Sequence, residues 1–263
     1  MKLITLMTDF GLQDGFVGVM KGIIYGICPD ARIVDISHAV PPQDILAGAL
    51  TLERSIPYFP PGSVHMAVVD PGVGTSRRPM AARIGQQLVV GPDNGLFSLL
   101  YAQAERQGQS IENIHLDQPR FWRTQVSNVF HGRDIFAPVA AHLANGVTLT
   151  ELGSPLPDPV RLVLPQPQLI RHGWLCQVMA VDYFGSLQLN LTRSDLGEAC
   201  VTQINVAEEV IEGLCNTFGD RPPGSLIALW DSSDHLSIAV VNGSAAQRLK
   251  AGPGVDALVT LDQ

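Results

Sequence analysis

The stretch Val64-His65-Met66-Ala67-Val68-Val69-Asp70-Pro71-Gly72-Val73-Gly74-Thr75-Ser76-Arg77-Arg78 decides how the first half of this chain folds. Residues 64–69 form an apolar run of strand length that ends directly in Asp70-Pro71-Gly72, a turn sequence. Such a run reads as a buried strand, and its neighbours read the same way. Residues 2–7 are a short, largely apolar run that ends in Thr8-Asp9. Arg32–Ile36 and residues 87–90 are two more strand-like runs, the latter closing in Gly91-Pro92-Asp93-Asn94-Gly95. Helical patterns lie between them. Apolar residues at Phe16, Val19, Met20, Ile23, Ile24 and Ile27 fit one face of a helix over 14–27, stopped by Pro29. Ile45–Ser55 and Leu96–Gln107 read as two further helices. Strands alternating with helices predict an α/β domain with a mostly parallel sheet. Ligands of such sheets bind off the carboxyl ends of the strands, where Asp9, Asp70 and Asp93 fall.

The pattern changes after a proline-rich segment. Residues 153–168 read GSPLPDPVRLVLPQPQ, with five prolines, a stiff linker candidate. Beyond it, Trp174–Asp182, Ser225–Trp230, Leu236–Val241 and Val255–Leu261 are short β-type runs separated by turn residues. The expectation is two domains, 1–160 α/β and 169–263 a smaller all-β barrel or sandwich.

Composition narrows the function classes. The chain has 263 residues, 46 % of them apolar and 16 % charged, with a formal net charge of −8. No cluster of Lys and Arg offers phosphates a surface, which argues against nucleic acid. The four cysteines show no C-x-x-C spacing, which argues against a zinc site built on them. An aspartate interrupts MKLITLMTDFG too early for a signal-peptide core, and no apolar stretch reaches membrane-helix length. A cytoplasmic protein without membrane attachment is expected.

Three segments could carry chemistry. The loop after residue 69 brings a carboxylate, Asp70, and guanidinium groups, Arg77 and Arg78, onto one glycine-rich turn. Its glycines suit a phosphate cradle or simply a tight turn, and it fits neither a P-loop nor G-x-G-x-x-G. An Asp–Arg pair keeps the carboxylate ionised and directed. The second segment, Phe130-His131-Gly132-Arg133-Asp134, precedes a helix. Its histidine is a structural hydrogen-bonding residue or an acid–base group, and Arg133-Asp134 a cap or surface pair. The third is Asp182-Tyr183-Phe184-Gly185-Ser186. Here Asp182 has a turn role open to it, and Phe184 belongs to the core or stacks on a base. Several Asp and His residues, among them Asp14, His38 and His65, are numerous enough to assemble a metal site, yet no H-E-x-x-H or paired-carboxylate loop occurs, and no metal is expected.

Taken together, TDFGLQDGFVGVMKGII, IVDISHAVPPQDILAGA, VVDPGVGTSRRP, GPDNGLFSLL, FHGRDIFAPVAAHLA and SIAVVNGSAAQRL resemble, in order and over about residues 3–261, the S-adenosyl-L-methionine (SAM) hydrolase family, also called SAM hydroxide adenosyltransferases. Fluorinase and chlorinase are its halide-using relatives. The resemblance implies an N-terminal α/β domain and a smaller C-terminal β-barrel. It also implies a homotrimer that binds its small-molecule substrate between the large domain of one subunit and the small domain of the next. The implied reaction is hydrolysis of SAM to adenosine and methionine, with no cofactor. A non-catalytic adenosine or SAM binder and a halide-using transferase are the alternatives.

By motif, Asp70, Arg77 and His131 correspond to the family's water-activating triad. Two of these positions, those of Asp70 and His131, differ in the halogenating relatives. Asp9 matches the carboxylate that grips the ribose hydroxyls, and Asp14 and Asp182 match carboxylates near the methionine amino group. Phe184 matches an adenine-pocket wall, and Ala245 matches backbone that reads the adenine edge. Ser232 matches loosely a serine at the methionine carboxylate. Ser186 replaces an asparagine that touches adenine in many members, Leu189 replaces a threonine of the same stretch, and Gln43 replaces a tryptophan of the fluorinase.

Overall fold

The computed structural model describes residues 2–262 and divides the chain into two compact units, Met1–Leu162 and Val163–Gln263. In the first unit the elements run β1 (Leu3–Thr8), α1 (Phe16–Ile27), β2 (Arg32–Ser37), α2 (Ile45–Ser55), β3 (Val64–Val68), β4 (Pro79–Ile84), β5 (Gln87–Pro92), α3 (Ser98–Arg106), β6 (Ile111–His115), α4 (Ala137–Ala144) and β7 (Ser154–Pro155). The sheet order is β2-β1-β3-β5-β4-β6-β7.

Burial of both faces explains why β1 and β3 are mostly apolar. Side chains alternate across a strand. Ile4, Leu6, Met66 and Val68 point into a core shared with α1 and α4. Met7, Ala67 and Val69 point into a second core lined by residues of α2 and α3. Two polar residues interrupt this pattern as a pair: Thr5 Oγ1 lies 2.8 Å from His65 Nδ1, and Gln87 Oε1 lies 3.3 Å from Nε2. Burial pushes His65 down to about 4, so the ring is neutral near pH 7.

The sheet is mixed rather than mostly parallel. The pairings of β1 with β2, β1 with β3 and β3 with β5 are parallel. Those of β4 with β5, β4 with β6 and β6 with β7 are antiparallel. The cause is local. Residues 79–84 return the chain beside β5 through a hairpin whose turn holds Gly85 at φ +56°, a short connection that parallel strands cannot use.

The first half of the proline-rich segment is rooted in the first unit rather than free. Ser154 and Pro155 pair with β6, and Leu156 is buried. The Val160 and Leu162 N–H groups donate to Asp93 Oδ1 and Ser98 Oγ.

In the second unit the chain forms β8 (Gln168–Ile170), β9 (Gly173–Val181), β10 (Leu187–Thr192), the short α5 (Arg193–Leu196), β11 (Val201–Val206), β12 (Glu209–Glu212), β13 (Leu226–Trp230), β14 (His235–Val240), α6 (Ala245–Leu249) and β15 (Asp256–Leu261). They make one antiparallel sheet in the order β12-β11-β15-β9-β10-β14-β13, with β8 on β9. After β12 the Cys215 N–H donates to the Ala228 carbonyl in β13, so the two ends of the sheet nearly close. Leu187, Leu189, Leu191, Leu236 and Ile238 fill the interior of this barrel-like body.

Candidate active site

The site of the first unit begins where β3 leaves the sheet. Two tight turns follow Val69: the Val73 N–H donates to the Asp70 carbonyl, and Thr75 N–H and Oγ1–H donate to the Gly72 carbonyl. They reverse the chain and bring Arg77 back against Asp70. Arg77 Nε donates to Asp70 Oδ1 at 3.0 Å and Nη2 donates to Oδ2, a bidentate pair. Both side chains are more than nine-tenths buried. The guanidinium also lies over the Phe136 ring, 5.3 Å from its centre.

His131 comes from another part of the chain. A π-helical turn, Gly132–Phe136, leads into α4, and His131 stands immediately before it. Such turns are rare and frequently mark functional sites. The loop before it, residues 123–131, is tied to Asp134, which is fully buried. Asp134 accepts from Arg123 Nη1, from Arg133 Nε and Nη2, and from the Ser127 N–H. Burial pushes this carboxyl up, but Arg133, the Ser127 N–H and Arg123 outweigh it and hold it at about 2. Asp134 is therefore neither a helix cap nor half of a surface pair.

The two loops meet closely. Gly74 sits at φ +77°, and a Cβ there would stand 2.2 Å from the Asn128 carbonyl oxygen, so only glycine fits. The meeting brings Arg77 Nη2 to 2.9 Å from His131 Nδ1. Arginine only donates, so Nδ1 accepts and the neutral ring carries its proton on Nε2. Desolvation and then the Arg77 charge push His131 below its ordinary value of 6.5, against smaller opposing effects of Asp70 and Asp134. Nη2 thus bridges Asp70 and His131, while the buried Nη1 has no acceptor among the described residues.

The remaining residues of interest divide between the units. Asp9 follows β1, and its Oδ2 accepts the Gln43 N–H at 2.8 Å. Asp14 is exposed ahead of α1. Asp93 is taken up by structure: it accepts from Arg78 Nε and the Val160 N–H. In the second unit the Asp182 carbonyl accepts the Gly185 N–H and Oδ1 accepts the Ser186 N–H, closing a turn that leaves Tyr183 and Phe184 exposed. Phe184 is thus not a core residue. The Gly185 carbonyl accepts the Ala246 N–H, which places Ala245 beside this turn. Ser232 is elsewhere. It lies in the β13–β14 turn, and that turn packs where β10 ends, the Asp234 carbonyl accepting the Arg193 N–H. The length of β10, roughly 17 Å at ~3.4 Å per residue, separates it from Ser186. Among the described residues, no three His, Cys, Asp or Glu side chains converge in a way that could hold a metal ion.

Three contributors around Asp9 were not given this role from the sequence: Thr8, His38, weighed only as a possible metal ligand, and the backbone of Gln43, noted only as a departure from the fluorinase. All three lie inside the quoted TDFG and SHAVPPQD segments.

The fold class is that of an α/β unit followed by an antiparallel barrel, with a carboxylate and a guanidinium, both buried, and a half-buried imidazole clustered off the end of a central strand. The chain belongs to the SAM hydroxide adenosyltransferase family: the N-terminal domain of that family matches residues 4–153 and its C-terminal domain residues 176–257. A relative from Salinispora arenicola described as (R)-S-adenosyl-L-methionine hydrolase is 42 % identical over 260 residues, covering 98 % of this chain and 97 % of its own. A fluorinase from an Actinoplanes species is 30 % identical over 272 residues, 90 % of each chain. A crystal structure of an uncharacterized conserved protein from Thermotoga maritima superposes with a TM-score of 0.88 at 33 % identity, covering 98 % of this chain and 99 % of the other.

Proposed function

We propose that this chain hydrolyses S-adenosyl-L-methionine, as the (R)-sulfonium epimer, to adenosine and L-methionine. The observation that carries this reading is the Asp70–Arg77–His131 cluster, three polar groups interlocked through one guanidinium nitrogen. The substrate is already activated. Its sulfonium leaves as a neutral thioether, so no acid is required, and what the site must supply is a held and polarised water.

Hydrogen-bond directions support a division of roles. His131 Nδ1 is occupied by Arg77 and Nε2 carries a proton, so the neutral ring donates rather than accepts toward the water. Asp70 keeps lone pairs free beside its Arg77 bonds and is the acceptor for a water proton. The water oxygen forms its bond to C5′, the C5′–S bond breaks with its electron pair going to sulfur, and one proton is released. A donor on the oxygen favours its hydroxide-like form, and alignment behind C5′ removes an entropic cost worth several kcal/mol.

Asp9 grips the ribose hydroxyls. Asp14 and Asp182 serve the methionine end, and Phe184, Ser186 and Ala245 serve the adenine; Ser232, a strand's length from the Asp182–Ser186 turn, is left without a role in this scheme. The higher identity to the hydrolase than to the fluorinase supports hydroxide over halide. No cofactor takes part in this scheme. The protein works in the cytoplasm as a homotrimer whose site is completed by a neighbouring subunit. In support, no helix among the described residues is long and apolar enough to cross a membrane, and Leu12, Val129, Tyr183 and Phe184 stand exposed on the two units.

Asp70→Ala or His131→Ala is expected to slow adenosine release about 10²-fold or more while ligand affinity stays within a few-fold. Single-turnover kinetics with calorimetric binding checks this. Wild-type turnover in either variant removes the proposed roles.

A further inference from the structure

The carboxylate of Asp9 is steered by a relay of side chains that has no part in the bond-breaking step. Thr8, directly before it, is buried, and its Oγ1 lies 2.8 Å from His38 Nδ1 and accepts the Phe10 N–H at 3.2 Å. His38, only 5 % exposed, reaches the other side of Asp9 too, because its carbonyl accepts the Gly11 N–H at 2.8 Å. One histidine therefore holds the chain at positions 8 and 11, on either side of Asp9. A third tie acts on the carboxylate itself through the Gln43 N–H, from a residue kept at φ +65°. A non-glycine residue there carries backbone strain, which persists only where its surroundings enforce it.

The far side of His38 is anchored as well. Nε2 lies 3.2 Å from Asp35 Oδ1, off the line of a linear hydrogen bond, and Asp35 Oδ2 pairs with Lys21 Nζ at 2.6 Å. The Thr8 hydroxyl and His38 Nδ1 share one hydrogen bond, whichever of the two supplies the proton. That leaves a Thr8 lone pair for the Phe10 N–H. Lys21, Asp35, His38 and Thr8 thus line up toward the residue next to Asp9, with hydrogen bonds at the Lys21–Asp35 and His38–Thr8 links and a contact without one between Asp35 and His38.

We propose that Thr8 and His38 are positioning residues that fix the Asp9 carboxylate toward the ribose hydroxyls, and so set the preference of the site for a ribonucleoside over one lacking those hydroxyls. The inference rests on the proposed reading of Asp9. A purely structural role for the pair would weaken binding of every nucleoside alike; a positioning role is felt only by ligands that carry the hydroxyls.

The test uses the full-length chain and two probes, adenosine and 2′,3′-dideoxyadenosine, with affinities measured by calorimetry. Wild type prefers adenosine. Thr8→Val, which keeps the shape of Thr8, and His38→Phe, which keeps a ring, are expected to lower adenosine affinity about three- to tenfold and leave 2′,3′-dideoxyadenosine affinity unchanged. Thr8→Ser restores the preference. If both variants lose affinity for the two probes equally, or keep the wild-type preference, the inference is overturned; Thr8→Val alone decides if His38→Phe does not fold. Turnover of SAM is followed on the same wild-type protein. A chain that distinguishes the hydroxyls but releases no adenosine refutes the hydrolase reading and leaves the positioning of Asp9 standing.

Discussion

His131 shows how much one hydrogen bond settles. Because Arg77 donates to Nδ1, protonating the ring would break that bond and set two cations side by side. Desolvation and Arg77 lower its pKa, so the neutral form persists to pH values below the ordinary 6.5. The kcat/KM profile should therefore keep its acid limb below pH 6.5, and NMR titration of His131 should follow the same curve. A limb at or above 6.5 would contradict the bond direction. Asp134 acts on stability instead. Its folded-state pKa lies near 2, below the ordinary 3.8, so the stabilisation it gives is complete above about pH 4 and is lost as pH falls toward 2. Asp134→Asn should cost about 2 kcal/mol at neutral pH in urea unfolding, and the gap to wild type should narrow across that acid window. An unchanged gap would mean that the carboxylate charge is irrelevant.

At the scale of elements, the site is a meeting of two loops, and Gly74 is where they touch. A methyl group there would strike the Asn128 carbonyl from a backbone conformation that disfavours side chains. Gly74→Ala should separate Arg77 from His131 and reduce kcat by at least about tenfold, with a stability loss of about 1–3 kcal/mol. Activity assays beside thermal melts separate the two effects. The loops were only partly legible in the sequence. The strand ahead of Asp70 and the helix Ile45–Ser55 followed from periodicity, because burial on two faces or one leaves a plain pattern. Strand β4 did not, since Pro79–Ile84 carries an arginine and short alanines and pairs antiparallel beside an otherwise parallel core. Neither the π-helical turn nor the burial of Asp134 has a periodic signal; both depend on Arg123 folding back from eleven residues away.

For the whole molecule, two kinds of order were visible before any coordinates: helix–strand alternation up to the prolines and short β runs after them. What stayed hidden was long-range convergence. Arg77 and His131 are 54 residues apart, and His38 meets Thr8 across 30. Periodicity reports which face of an element is buried but not which loops come together. The resemblance to a family supplied Asp70, Arg77 and His131 as a set, and the fold supplies the reason for it. The same resemblance passed over His38 and Thr8, which touch no reacting atom.

In the proposed reaction the cluster delivers water, not halide, to the ribose C5′ of a sulfonium nucleoside. The most direct measurement incubates the full chain with separated (R)- and (S)-epimers of S-adenosyl-L-methionine, with and without chloride, and identifies the products by chromatography. Adenosine and methionine in equal amounts, formed faster from the (R)-epimer and unaffected by chloride, is the predicted result. Unchanged substrate, or 5′-chloro-5′-deoxyadenosine in place of adenosine, would contradict it.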